Sequence, residues 1–289
     1  MDSVYDNETD DICEIVSGNQ ESHSIFETYN YVVSNFSKIP AKELLKRGSI
    51  SDVSIPELVA FYSANLEGTT LFRKAKNATS AIGEAWAGIV KSKAVLEMAE
   101  SSPPPFEGID ASFINDVVHM SPDLDSINKL QSKLRSIGII LIFEQAIARS
   151  SVDGVAGKLP NGTPYIGMSL RLHRLDNFWF TLLHELGHVA LHYDQLHTPI
   201  IDSEEDNKAE CEIELEADRF ALNSFVNRRV WNTASIRTGK AEERAVLQFA
   251  RKNAIHPAIV AGRIRKETGN YRLYNRLVKI NVREIIWGE

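Results

Sequence analysis

The stretch "FWFTLLHELGHVALH", residues 178–192, decides what the rest of the chain has to be. Its apolar positions Phe178, Trp179, Leu182, Leu183, Leu186 and Val189 make the wide hydrophobic surface of a core helix, and Asp176 stands upstream as the expected cap. Set into that helix, His184 and His188 lie one turn apart on one face, so both imidazoles can converge on one ion. Glu185 sits beside that face, where it can reach a water at the ion without being a ligand, which is the place for a general base. By composition, HExxH arises by chance in on the order of one chain in a hundred of this length, so its surroundings must add weight. They do: His173, His184, His188, His192 and His197 cluster here, in a chain with 8 histidines. Two unpartnered imidazoles on a buried face would cost a few kcal/mol, whereas a metal satisfies both. Gly187 sacrifices about 1 kcal/mol of helix propensity, which predicts close packing against another element.

A catalytic zinc needs a third protein ligand and an open fourth position. In "AECEIELEADRFALNSF", residues 209–225, Glu210, Glu212, Glu214 and Glu216 compete for that place. Spacing favours Glu214, which shares a face with Asp218 and with the small residues Ala217 and Ala221, while Glu212 and Glu216 lie on another. Asp218 can then accept a hydrogen bond from a histidine N–H and fix that ring's tautomer. For substrate or oxyanion contacts the candidates are His173, His192 and Tyr193, with a supporting or surface role equally open to His192.

Working outward, "IILIFEQ" at 139–145 has the branched apolar run of a buried strand, and Asn161-Gly162 marks a hairpin turn. Strands are expected over 138–144 and 164–171, the latter as an edge to which a substrate can add. "SSPPPFEG" at 101–108 reads as a linker, because consecutive prolines lack N–H donors. Before it the chain is helical. Helices are expected in "FETYNYVVSNF", in "SKIPAKELLKRGSI", in "SIPELVAFYSAN" with the capping-box pair Ser54 and Glu57, and in "TSAIGEAWAGIVKSKAVLEMAE". The last of these offers Trp86, Ile89, Val90, Val95 and Leu96 as core. The expected organisation is an acidic tail over 1–22, a helical regulatory domain over 23–105 and a catalytic domain over 106–289, an α+β chain in all.

Composition narrows the function. No apolar run is long enough to span a bilayer, and the acidic N-terminus lacks the pattern of a secretory signal, so a cytoplasmic protein without a membrane role is expected. The two cysteines, Cys13 and Cys211, are far apart and form neither a disulfide framework nor a Cys-rich metal site. A net charge of -7 opposes general phosphate binding. The basic residues from Arg251 to Arg283 read as a solvated helical face, or less readily as a DNA-binding surface. There is no GxSxG, no Walker loop and no dinucleotide fingerprint.

"DNFWFTLLHELGHVALH", "ELEADRFA" and "IHPAIVAGRIRKE", in that order, resemble the ImmA/IrrE family of zinc metallopeptidases, particularly those fused to HigA-type antitoxin regulators. The similarity extends over about residues 135–270. The resemblance implies Zn2+ held by His184, His188 and Glu214, with Glu185 as catalytic base, in a zincin-like fold whose small sheet packs on the two motif helices. It also implies a protein substrate, such as a repressor or antitoxin cleaved in response to stress or phage. The chain departs from the fused regulators where their helix-turn-helix would lie, so direct DNA binding is not expected. An antitoxin-like binding protein that keeps zinc without cutting is the competing reading, and the presence of Glu185 weighs against it. Homo-oligomerisation stays open.

Overall fold

The structure is a computed structural model of the chain, described here over residues 25–65, 81–203 and 212–288. It divides into two compact units, Met1–Ile89 and Val90–Glu289, and the division falls inside a long helix rather than at the proline run. The expected acidic tail and both cysteines lie outside the described residues.

The first unit is helical: α1 over 25–35, α2 (Ala41–Lys46), α3 (Ile55–Asn65) and the start of α4 (Ala81–Ser101). Its core is aromatic, with Tyr62 tilted against Tyr31 at 5.4 Å and edge-on to Phe61 at 5.3 Å. Ser54 caps α3 by accepting from the Glu57 N–H, but Glu57 reaches back to the Ser51 N–H, 2.8 Å away, instead of closing on Ser54. Trp86 and Ile89 of α4 are buried as expected. Further along the same helix, in the second unit, Val90 is buried, whereas Val95 and Leu96 are 47% and 62% exposed. Helical spacing cannot by itself say where along a long helix the covering neighbours stop.

The second unit begins with short helices, α5 (Ala111–His119), capped by Asp110, and α6 (Leu130–Arg135). Then come β1 (Ile140–Phe143), β2 (Val152–Lys158), β3 (Pro164–Met168) and, after the motif helix, β4 (Ile200–Ser203). The sheet order is β1-β3-β2-β4, with β1 parallel to β3 and β2 antiparallel to both its neighbours. The strand expected to be an edge, β3, is therefore interior, and its backbone is paired on both sides. Among the described residues the outer strands are β1 and β4. The hairpin turn forms where Asn161-Gly162 predicts it: Gly162 has φ +91° and Asn161 accepts from the Thr163 N–H.

Two helices carry the motif residues, α7 (Leu175–Leu191) and α8 (Glu212–Phe225). They pack on each other at Gly187, where an added Cβ would meet the Ala217 Cα at 3.2 Å and the Phe220 side chain at 3.1 Å. The small residues read from sequence do serve close approach. Asp176, by contrast, is not the cap of α7. The cap position is Arg174, and the first helical N–H, that of Leu175, donates to the Ile280 carbonyl at 3.2 Å. Asp176 lies within the first turn, buried, and accepts both arms of the Arg174 guanidinium at 3.0 Å each. The remaining helices are α9 (Arg228–Thr233), α10 (Glu243–Lys252), α11 (Pro257–Thr268) and α12 (Val282–Trp287). The basic residues of this region do not form one solvated face. Arg265 is buried, Arg263 lies on the Trp231 ring, and Arg283 donates to the Leu170 and Arg171 carbonyls. No described helix is long and apolar enough to cross a membrane.

Candidate metal centre

The apolar positions of α7 fix its rotation: Phe178, Trp179, Leu182, Leu183, Leu186 and Val189 are all buried. That rotation turns His184 and His188 toward α8, where Glu214 stands in the first turn. His184 Nε2 lies 3.0 Å from His188 Nε2 and 3.1 Å from Glu214 Oε2, and His188 Nε2 is 3.5 Å from the same oxygen. These three residues could hold a metal ion. Ligands at about 2.0–2.1 Å from a tetrahedral zinc stand roughly 3.3 Å apart, which is the spacing found among these three atoms. The donor set also fits chemically, two imidazoles and one carboxylate with both rings buried.

The outer nitrogen of each histidine is engaged as well. His184 Nδ1 pairs with Asp218 Oδ1 at 3.0 Å, the partnership expected from the Glu214–Asp218 spacing. His188 Nδ1 is 3.2 Å from His192 Nδ1, and His192 Nε2 is 2.9 Å from Glu216 Oε2. Thus α8 supplies three acids at alternate positions, Glu214, Glu216 and Asp218, that between them face the whole histidine row. The contact of Glu216 has no clear sequence signal, because helical geometry puts Glu216 on a different face from Glu214. It is reached by His192, where the chain has just left α7.

Charge follows this geometry. Burial works against the His184 imidazolium, yet the hydrogen bonds to Asp218 and Glu214 prevail and hold its pKa well above the ordinary value. Burial lowers His188, only partly opposed by Glu214. Glu214 itself is pulled well below the usual carboxylate range, since its bonds to both histidines outweigh its desolvation. Glu185 goes the other way. It is fully buried, neither of its oxygens has a hydrogen-bond partner among the described residues, and desolvation raises its pKa strongly. An orphaned buried carboxylate beside three converging donor atoms is the arrangement that a metal and its water would complete.

Glu185 sits in a recess that β2 makes for it at Gly154: a Cβ there would lie 2.8 Å from Glu185 Cδ. Beyond it, Asp202 of β4 brings a carboxylate oxygen within 4.8 Å of donor atoms of His184 and Glu185, and burial raises its pKa to about 6. Neither Gly154 nor Asp202 is found from sequence, because the stretch that forms β2 alternates turn residues with strand formers and strands are expected only over 138–144 and 164–171. A glycine inside a strand is the one available sign of a close approach.

A cleft of about 800 Å³ opens beside His184, walled by α7, α8 and α11 and by Ile201 and Asp202 of β4. None of the three candidate substrate contacts lines it. Tyr193 donates to the Gly162 carbonyl at 2.6 Å and lies under Lys158, so it serves the hairpin. His192 is buried between His188 and Glu216. His173 is exposed, and its carbonyl accepts from the Val282 N–H at 2.8 Å.

Residues 139–250 match the family model Peptidase_M78, described as the IrrE N-terminal-like domain. The matched span contains all four strands and both motif helices whole, and it supports a metallopeptidase. No curated protein matches the chain.

Proposed function

We propose, for a chain whose residues 139–250 belong to the ImmA/IrrE family, a zinc-dependent endopeptidase that cleaves a protein partner. The observation that carries this reading is the convergence of His184, His188 and Glu214 beside a buried Glu185 whose oxygens have no partner among the described residues. In the proposal His184, His188 and Glu214 hold the ion, which supplies Lewis acidity toward the scissile carbonyl and acidifies a water. Glu185 accepts the proton of the attacking water and delivers it to the leaving amine. Its desolvated recess raises its proton affinity, which suits a base that must also release a proton as an acid. Asp218 and the His192–Glu216 pair hold the two imidazoles in the tautomers that present Nε2. The outer strand β4, rather than β3, is the edge beside the cleft along which an extended peptide can add. The substrate implied by the family resemblance is a repressor or antitoxin in a stress, phage-response or toxin-antitoxin system, acting in the cytoplasm.

The test compares zinc-loaded wild type with Glu185→Gln against candidate repressor and antitoxin proteins by intact mass. Both proteins should carry near-stoichiometric zinc, and only the wild type should generate fragments. Equal fragmentation by the two, or no cleavage of any partner by the loaded wild type, would overturn the proposal.

A further inference from the structure

We propose that Lys266 is a specificity residue that reads an acidic side chain of the substrate, held on the Phe180 ring within about three residues of the cut bond. This rests on the peptidase reading and adds to it a substrate class, a peptide with a carboxylate side chain beside an apolar contact.

The cleft beside His184 is lined by three cations, Arg174, Arg263 and Lys266. Two of them are already committed. Arg174 holds Asp176 with two bonds of 3.0 Å and reaches Asn177 at 2.8 Å. Arg263 donates to Glu267 at 3.0 Å and to the Leu222 carbonyl at 3.1 Å while it covers Trp231. Lys266 has no carboxylate within ion-pair distance among the described residues. It is exposed, and its ammonium stands 4.8 Å over the centre of the Phe180 ring. Phe180 in turn lies 6.1 Å from the His184 ring, so this cation is one aromatic ring removed from the metal centre.

The acids of the cleft do not cancel it. Asp153 is clamped by Arg171 with two 3.0 Å bonds, and Glu214 and Asp218 face His184. Negative charge, Asp202 included, is gathered at the metal end, while the cleft-lining cation without an ion-pair partner among the described residues is Lys266 on α11. Between them, Phe180, Leu215 and Leu222 are only partly buried and offer an apolar floor. A glutamate side chain matches this floor: its methylenes can lie on the Phe180 ring while its carboxylate meets the Lys266 ammonium. An extended chain advances about 3.3 Å per residue, which sets the distance from the cut bond.

The test uses a positional-scanning set of labelled octapeptides carrying Glu, Gln or Lys at each position in turn. Binding is read by fluorescence anisotropy on zinc-loaded Glu185→Gln, and cleavage as kcat/KM on the wild type. At one position Glu should outbind Gln about threefold, the size of an exposed ion pair, with Lys weaker than both. Adding Lys266→Met, which keeps an apolar stem over Phe180, should erase the Glu–Gln difference, and adding Lys266→Glu should put Lys ahead of Glu. No preference for Glu at any position, a preference that survives Lys266→Met, or no peptide binding would overturn the assignment. If the Lys266-dependent preference in binding is present and the wild type cuts neither the peptides nor any candidate partner protein, the endopeptidase reading falls together with the placement beside a cut bond, and only the recognition of an acidic side chain by Lys266 stands. Cleavage without charge preference overturns the Lys266 assignment and leaves the endopeptidase reading standing.

Discussion

Replacing Gly154 by alanine is the smallest change that reaches Glu185 without altering it. Gly154 lies in β2, paired with Met168 on one side and Asp202 on the other, and its φ is not in the left-handed region, so alanine is compatible with the backbone. The difficulty is contact. The new methyl would lie 2.8 Å from Glu185 Cδ and 3.0 Å from Cγ, where ordinary packing begins at 3.4 Å. Glu185 belongs to the middle of α7, so its backbone is held and its side chain must turn, carrying the carboxylate away by roughly 1 Å. A displacement of that order costs about 100-fold in rate for a group that has to meet a reacting atom. Overpacking of this kind destabilises by about 1–3 kcal/mol, offset by about 0.4–1 kcal/mol from the stiffer unfolded chain. His184, His188 and Glu214 are not among the nearest atoms to the new methyl, so zinc content should stay at the wild-type level. The assay is kcat on a cleaved partner, with metal analysis and urea unfolding on the same samples. Gly154→Ala with kcat within a few-fold of wild type would refute the account of the recess, and so would loss of zinc. Gly187→Ala supplies the contrast, because its methyl presses on Ala217 and Phe220 and separates the two helices that carry the metal-facing residues. There zinc should be lost along with activity.

Asp218→Ala should weaken zinc binding about 10–100-fold in a chelator competition, because His184 loses the acceptor at its outer nitrogen. His192→Phe should weaken it about tenfold through His188, while Glu216→Gln, which keeps an acceptor for His192, should stay near wild type. In the first unit, burial raises the Glu84 carboxyl to about 8, and Tyr31 donates to it. Below its ordinary pKa the group is protonated whether the chain is folded or not. As pH rises from about 4.5 to about 8 the unfolded chain ionises and the folded one resists, so stability should decline by a few kcal/mol across that window and level off above it. Urea midpoints of wild type and Glu84→Gln at about pH 5 and about pH 8 check this, and the variant should be the more stable of the two only at the higher pH.

The helix bearing His184 and His188 was legible because its apolar period fixes which residues are buried, and the two histidines ride on that period. The Glu214–Asp218 pair was legible for the same reason, as one helical face with small neighbours. What failed to show was whatever depends on two distant segments meeting. β2 carries Gly154 and Gly157, residues of turn type, although in the fold they make room for Glu185 and Tyr165. β3 looked like an edge because nothing in its own residues announces a parallel partner in β1. Asp176 had the composition of a cap, but the helix start is set by the chain near Asn281, which pairs with Arg174 from far along the sequence. The family match spans residues 139–250, which hold both motif helices and also the strands whose pairing the local pattern did not show.

The row Glu214, Glu216 and Asp218 bears on how the gene can vary. One extra residue within it would rotate every later side chain by roughly 100° about α8, so a single inserted codon would remove the partner of His184 while leaving helix propensity intact. The same holds between His184 on α7 and His192 just past its end. Among descendants of this sequence, length changes should therefore be purged from these two short windows, a pattern that deep insertion scanning would expose directly.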